Sequence, residues 1–214
     1  MKQIVTLGLF LIGLVISGCD FFGAKEDYYP ITVGNRWNYA GTVIMETDVD
    51  AQPDTVQKMT AQVVVTRNDK LTSGADVFEQ VSTVEVHQYY PFESSYVMVE
   101  TSYVQRVDKL VLTYESKDDA QPDTTLSLPL VREKIWRVNE YSVARVRQQE
   151  DVTVPAGTYK NAWKIEQTVT EGGQSSIDYY WYADGIGPVK AYSQAAYGTI
   201  SLTTNIELVS AVIK

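Results

Sequence analysis

Few residues in this chain could start a reaction. The sequence holds one cysteine, Cys19, and one histidine, His87. Serine–histidine chemistry would have to run through His87, because a hydroxyl nucleophile needs an adjacent base. His87 lies in Val86-His87-Gln88-Tyr89-Tyr90, a strand-like run, and the chain contains no Gly-x-Ser-x-Gly elbow. No cysteine or carboxylate motif surrounds it at ligand spacing, so it reads as a surface or hydrogen-bonded histidine. Gly185-Ile186-Gly187-Pro188 ends in a residue without an N–H, which suits a turn rather than a phosphate cradle. Carboxylates cluster at Asp48, Asp50 and Asp54 and again at Asp118, Asp119 and Asp123. Calcium favours such oxygens, but the spacing matches no calcium loop and solvated hairpin tips are expected. A glycosidase would need two carboxyl groups facing each other about 5–9 Å apart, which nothing in this spacing imposes. The sequence therefore assigns no catalytic residue, no metal ligand and no cofactor, and the chain reads as non-enzymatic.

Cys19 is the residue with an evident chemical setting. Met1-Lys2 is a short basic start, and the run from Ile4 to Ile16 is apolar and uncharged. That run is shorter than the about 20 residues a membrane-spanning helix needs. Basic start, short apolar stretch and small-residue exit describe a secretory signal. Ile16-Ser17-Gly18-Cys19 then resembles the bacterial lipobox, in which small residues enter a peptidase cleft and the cysteine thiolate takes up a diacylglycerol. The resemblance implies cleavage before Cys19 and lipid attachment to it. Each buried methylene of an acyl chain adds about 0.8 kcal/mol, so several chains hold a protein almost permanently on a bilayer.

Composition limits the partners. Residues 1–18 contain one lysine and no acid, so a chain of 18 basic and 27 acidic residues matures to a net charge of −10. Such a surface repels nucleic acid and anionic head groups, which leaves the lipid as the expected membrane contact. With Cys19 acylated, no thiol remains for a disulfide or a thiolate metal site.

Three segments organise the chain: a signal peptide over 1–18, the acylated cysteine with a short tether over 19–27, and one domain over 28–214. Fully extended, the tether from residue 20 reaches about 26 Å at roughly 3.3 Å per residue. Asp20 resembles an inner-membrane retention signal of enteric bacteria, whereas Lys25-Glu26-Asp27 resembles surface-export signals of other Gram-negative lineages. The expected location is the cell envelope, on the outer membrane or a periplasmic face, with the leaflet open.

Within the domain, period-two alternation dominates. Trp37, Tyr39, Gly41, Val43 and Met45 share one face, as do Met59, Ala61, Val63 and Val65. Leu110, Leu112 and Tyr114 form a stripe, then Leu126, Leu128 and Leu130, then Trp163, Ile165, Gln167 and Val169. Ile177, Tyr179 and Trp181 follow, and finally Ile200, Leu202, Thr204, Ile206 and Leu208. Such alternation means half-buried strands, and Gly, Asn and Asp clusters punctuate it. The fold class is all-β: a single curved antiparallel sheet, a half-barrel or open barrel, with little helix. Leu130–Val138 is left for a short helical turn or loop. Asp-Ala-Gln-Pro-Asp-Thr occurs at 50–55 and again at 119–124, where both copies read as hairpin caps. Tyr179-Tyr180-Trp181-Tyr182, and Tyr89-Tyr90 beside Pro91-Phe92, suggest core on one face with amphipathic cover on the other, or a stacking groove.

Three segments share a resemblance: Tyr28-Tyr29-Pro30-Ile31-Thr32-Val33-Gly34-Asn35-Arg36-Trp37-Asn38-Tyr39, Val152-Thr153-Val154-Pro155-Ala156-Gly157-Thr158-Tyr159-Lys160-Asn161, and Tyr180-Trp181-Tyr182-Ala183-Asp184-Gly185-Ile186-Gly187-Pro188-Val189-Lys190. Together they resemble a broad group of uncharacterised bacterial envelope lipoproteins, loosely similar to lipoprotein-carrier half-barrels. The resemblance implies structural roles: Pro155 and Gly157 in a turn, Gly185 and Gly187 at a backbone bend, Trp37 and Tyr39 as core plugs. It also implies a concave apolar face able to hold a lipid or other apolar ligand. The alternative is an interaction lipoprotein with a filled core that docks another envelope protein.

The lipid reading has a direct check. Cells fed labelled palmitate should label the wild-type protein and leave Cys19→Ser unlabelled; equal labelling of both would overturn it.

Overall fold

The computed structural model describes residues 26–47, 55–89, 92–172 and 174–214. Cys19, the 1–18 signal and the first part of the tether lie outside them, as do Asp48, Asp50, Asp54, Tyr90 and Pro91. The described chain is all-β, twelve antiparallel strands in one sheet, with no helix among the described residues. The strands are β1 (Arg36–Thr47), β2 (Thr55–Lys70), β3 (Asp76–Gln88), β4 (Ser94–Val107), β5 (Leu110–Tyr114) and β6 (Asp123–Ser127). They continue as β7 (Ile135–Arg137), β8 (Ser142–Val154), β9 (Gly157–Glu171), β10 (Gln174–Ala183), β11 (Gly187–Tyr197) and β12 (Ile200–Val212).

The order across the sheet is β6-β5-β4-β3-β2-β1-β12-β11-β10-β9-β8-β7, so every neighbouring pair in it is a hairpin except β1–β12. β1 pairs with β12, which joins the chain's two halves, and β6 meets β7 at the opposite seam. At that seam the Thr124 N–H donates to the Val138 carbonyl at 2.9 Å. The Trp136 indole N–H returns a bond to the Thr124 carbonyl at 2.9 Å. Lys134 Nζ donates to the Ser127 and Pro129 carbonyls just below. The sheet is thereby a nearly closed barrel. The segment expected as a helical turn or loop is a turn, closed by Lys134 N–H to the Val131 carbonyl, followed by the three-residue β7.

Side-chain rows show why the sheet curls. One hydrogen-bonded row runs Val146–Ile165–Tyr180–Ala191–Ile206–Gly41–Met59–Val86–Tyr96 across nine strands. Its members are apolar or tyrosine, and they want to leave water together. Gly41 has a specific reason to lack a side chain: a Cβ there would stand 2.5 Å from the Asn205 carbonyl oxygen of β12. The row two residues above is largely polar, running Gln167–Asp178–Ser193–Thr204–Val43–Gln57–Gln88–Ser94. The packed interior therefore lies in the lower part of the barrel, towards the β10–β11 turn.

Two clusters fill it. Val104, Val111, Leu126, Trp136, Val146 and Ile165 pack with Tyr28 and Tyr182 near the seam. Trp37, Val65, Leu208, Val189 and Trp181 pack with Val152 and Val154 of the β8–β9 hairpin. Ile31 touches both clusters. The segment from Asp27 to Gly34 is thus not a loose leader. Asp27 bonds the β10–β11 turn through Asp184 and Gly185, and Arg106 of β4 holds both Asp27 Oδ1 and the Tyr29 carbonyl.

Two measurements test this packing. Trp136→Ala removes a buried indole and a seam hydrogen bond, so denaturant unfolding should show a loss of about 3–5 kcal/mol. Trp136→Phe, which loses little beyond the bond, should cost about 1 kcal/mol. Burial also raises the interior phenols: Tyr28 and Tyr180 go from 10.0 up to about 12, and Tyr29, Tyr39 and Tyr182 are raised as well. The unfolded chain ionises these groups near pH 10 while the fold keeps them neutral. Stability should therefore fall as pH climbs from about 10 to 12. Phenolate absorbance should then rise together with loss of strand structure; ionisation well ahead of unfolding would contradict the burial.

Candidate functional site

Short strands leave a notch in the barrel wall. β5 reaches only Tyr114, level with Tyr103 of β4, and β6 only Asp123, level with Val104. Above that level nothing pairs with the outer edge of β4 over Ser94–Ser102, among the described residues. Every residue from Phe92 to Thr101 is exposed. Val97 and Val99 are 60% and 65% exposed on one face, and Tyr96 and Met98 are 45% and 40% exposed on the other. Both faces of this strand meet water, so the sequence shows an unbroken Tyr-Val-Met-Val run there instead of alternation.

An open, apolar edge is a liability that proteins usually blunt with lysine, proline, a bulge or an inward charge. Ser94–Ser102 contains no lysine, arginine or proline, and Glu100 is its one charge. The β3–β4 pairing is regular along the whole stretch, with no bulge. The adjoining inner face continues the apolar surface: Met98 faces Val84, which faces Ala61. At the turn above, Tyr89 is 48% and Phe92 79% exposed.

The floor of the notch is a groove of about 610 Å³ over the ends of β5, β6 and β7, lined by Thr113, Glu115, Asp123, Arg137, Asn139 and Tyr141. It contains the second Asp-Ala-Gln-Pro-Asp-Thr segment, which lies in the β5–β6 connection. Three aspartates here accept hydrogen bonds from protein donors. Asp119 accepts from the Ser116 N–H and hydroxyl, which holds its carboxyl below its ordinary pKa. Asp118 accepts from the Thr72 hydroxyl and Asp123 from the Asn139 amide. Among the described residues, no three His, Cys, Asp or Glu side chains converge as metal ligands would.

His87 has partners that sequence spacing hid. Its Nδ1 lies 2.6 Å from Ser95 Oγ, across the β3–β4 pairing, and its Nε2 lies 3.3 Å from Glu93 Oε1. The ring also meets Tyr89 edge-on at 4.3 Å. The Glu93 side chain is 76% exposed, so the trio stands in solvent beside the free edge.

The aromatic run on β10 divides between two roles. Tyr180 and Tyr182 pack with the seam cluster, while Trp181 belongs to the second cluster and donates from Nε1 to Glu150 at 2.6 Å. Lys164 Nζ covers the Tyr179 and Trp181 rings at 4.2 and 4.9 Å from their centroids. That face carries amphipathic cover at Trp181, and beside it Tyr179 and Tyr192, stacked with centroids 6.4 Å apart, line a shallow groove of about 300 Å³.

The three segments quoted together in the sequence meet at one junction. Trp37 Nε1 donates to the Ile186 carbonyl at 2.7 Å, and the Tyr39 hydroxyl to the Pro188 carbonyl at 2.9 Å. Gly185 and Gly187 adopt φ of 70° and 97° in the turn that presents these carbonyls. The Ala156 N–H, at the tip of the β8–β9 hairpin, donates to the Leu208 carbonyl. The sequence singled out these three segments but not their meeting, and it did not single out β4, whose signal is a proline-free, nearly uncharged β-branched and aromatic run.

No protein-family profile matches the chain, and no curated protein matches it. Two solved structures are similar in outline. One is a protein inferred to be exported, with a YmcC-like fold, from Bacteroides fragilis: 14% identity, covering 87% of this chain and 99% of that one, TM-score 0.41. The other is a protein inferred to be a lipoprotein from Parabacteroides distasonis: 13% identity, the same coverages, TM-score 0.35. Likeness at that level carries no argument about this protein.

Proposed function

We propose that this protein is a non-enzymatic envelope lipoprotein that docks a protein strand on the free edge of β4. The observation that carries the reading is the open, exposed edge over Ser94–Ser102 with its apolar side chains. Backbone N–H and C=O groups on such an edge supply affinity to an added strand, and alternate side-chain positions supply selectivity. The lipobox-like segment ending in Cys19 supplies the anchor, and the tether keeps the barrel near its bilayer. The Ser95–His87–Glu93 contact supports the same reading as a clip on the β3–β4 hairpin. A hydrolytic role would need oxyanion donors in a water-excluded site, and this trio stands in water.

A second reading keeps one favourable observation. The inner-face row through Met59, Val86 and Tyr96 is apolar and reaches the open side of the barrel, where an acyl chain or other apolar ligand could lie. Against it, the lower interior is filled by side chains and the groove at the notch is lined by polar groups.

A photo-crosslinking residue placed at Val97 of the full chain in native envelopes separates the two. Protein adducts of defined mass at Val97, absent when the residue replaces the outlying Thr158, would support strand docking. Lipid adducts alone would transfer the function to the apolar face, and no adduct of either kind would sink the docking reading.

A further inference from the structure

We infer that the strand seated on β4 is the β4 of a second copy, paired antiparallel across a two-fold axis at Met98. The inference rests on the docking reading above and names its partner. In an antiparallel pair, directly opposed residues project to the same face, so a two-fold axis must pass through one residue position. Met98 is the midpoint of the free stretch Ser94–Ser102, and an axis there lets the whole stretch pair with itself.

That register is self-complementary. Val97 comes to lie opposite the partner's Val99, and Val99 opposite the partner's Val97, which covers the two most exposed valines of the edge. Met98 meets the partner's Met98. Glu100 falls opposite the partner's Tyr96, so the acid on one edge never faces the acid on the other. Shifting the axis to Val99 would put Met98 opposite the partner's Glu100, and shifting it to Val97 would put Val99 opposite the partner's Ser95. Both exchange an apolar contact for a polar one and shorten the overlap.

The added pairing ends at Ser94 opposite the partner's Ser102, because Tyr103 and Val104 of β4 are already paired with Tyr114 and Thr113 of β5. At the Met98 register the partner's Phe92 comes level with Val104, whose neighbour on β5 is Thr113 in the groove wall. Phe92, 79% exposed in the single chain, then stands at the mouth of that groove, and the symmetry repeats the contact. β5 begins to pair at Tyr103, immediately beyond the stretch the partner occupies. Two tethers reach one membrane in this dimer when the axis stands along the membrane normal and β4 lies along its plane.

Disulfide trapping in native envelopes reads the register directly. The lipid reading leaves the mature chain without a free thiol, so single cysteines can be introduced into full-length protein, with the wild type as control. Opposed Cα atoms across the axis lie about 4.5–5.5 Å apart, within disulfide reach. The two Tyr96 positions stand about 13 Å apart, four residues at about 3.3 Å each, beyond that reach. Met98→Cys should therefore give roughly tenfold more covalent dimer than Tyr96→Cys. Tyr96→Cys and Glu100→Cys should crosslink to each other when co-expressed with different tags. Met98→Lys, which sets two ammonium groups face to face at an exposed position, should abolish association while the chain keeps the strand circular-dichroism spectrum of the wild type. Absence of dimer from Met98→Cys, or equal yields from every edge position, would overturn the inference. If a different protein is captured at Val97 while Met98→Cys stays monomeric, the self-pairing falls and edge docking stands; if neither occurs, both fall.

Discussion

The structure depends on how Trp37 and Tyr39 are held at the start of β1. Each buries a large ring and spends its polar atom on a carbonyl of the β10–β11 connection, Ile186 and Pro188. Those bonds span most of the chain's length, so they tie the first strand to the second half of the barrel. β1 then pairs with β12 along its whole length, and β2 follows by hairpin. Asn35 reinforces the start: its side chain donates to the Pro30 carbonyl and accepts from the Lys214 N–H. Fully buried and fully engaged, it avoids the cost of an unsatisfied amide. First and last residues of the domain thus meet at one place.

From that junction the barrel grows outward by hairpins in both directions and ends in short strands. The long strands near β1 and β12 carry the cooperative pairing, while β5, β6 and β7 have five, five and three residues. Short strands can close the wall only where they exist. The seam is sealed at the lower level by Thr124, Trp136 and Lys134, and the same shortness leaves β4 unpaired above. Closure and the open edge are two results of one length mismatch. The interior is filled where the wall is complete, and the run Tyr96–Val99 is exposed on β4 where it is not.

Acidic side chains near the notch are held by hydroxyls, amides and backbone N–H groups. Elsewhere they sit in ion pairs such as Arg147–Glu166 and Lys190–Glu207. At the free edge of β4 an apolar surface carries unpaired backbone groups, the features on which an added strand is held.

Much of this was legible in the residues. Alternation at β1, β2, β9 and β12 specifies strands because one face of each is buried, and a one-residue slip would expose the whole apolar set. Gly185 and Gly187 announce a bend because they occupy backbone conformations that side chains disfavour. Cys19 and its flanks are a purely local signal that no fold is needed to read. Tertiary structure alone decided the rest. Over Ser94–Ser102 β4 shows no alternation because neither face is packed there, so periodicity could not reveal that part of the strand. His87 meets Ser95 and Glu93 only because the β3–β4 register brings them across, and local sequence does not encode register. Which edge stays open is a property of relative strand lengths around the whole barrel, set by twelve segments together and by none of them singly.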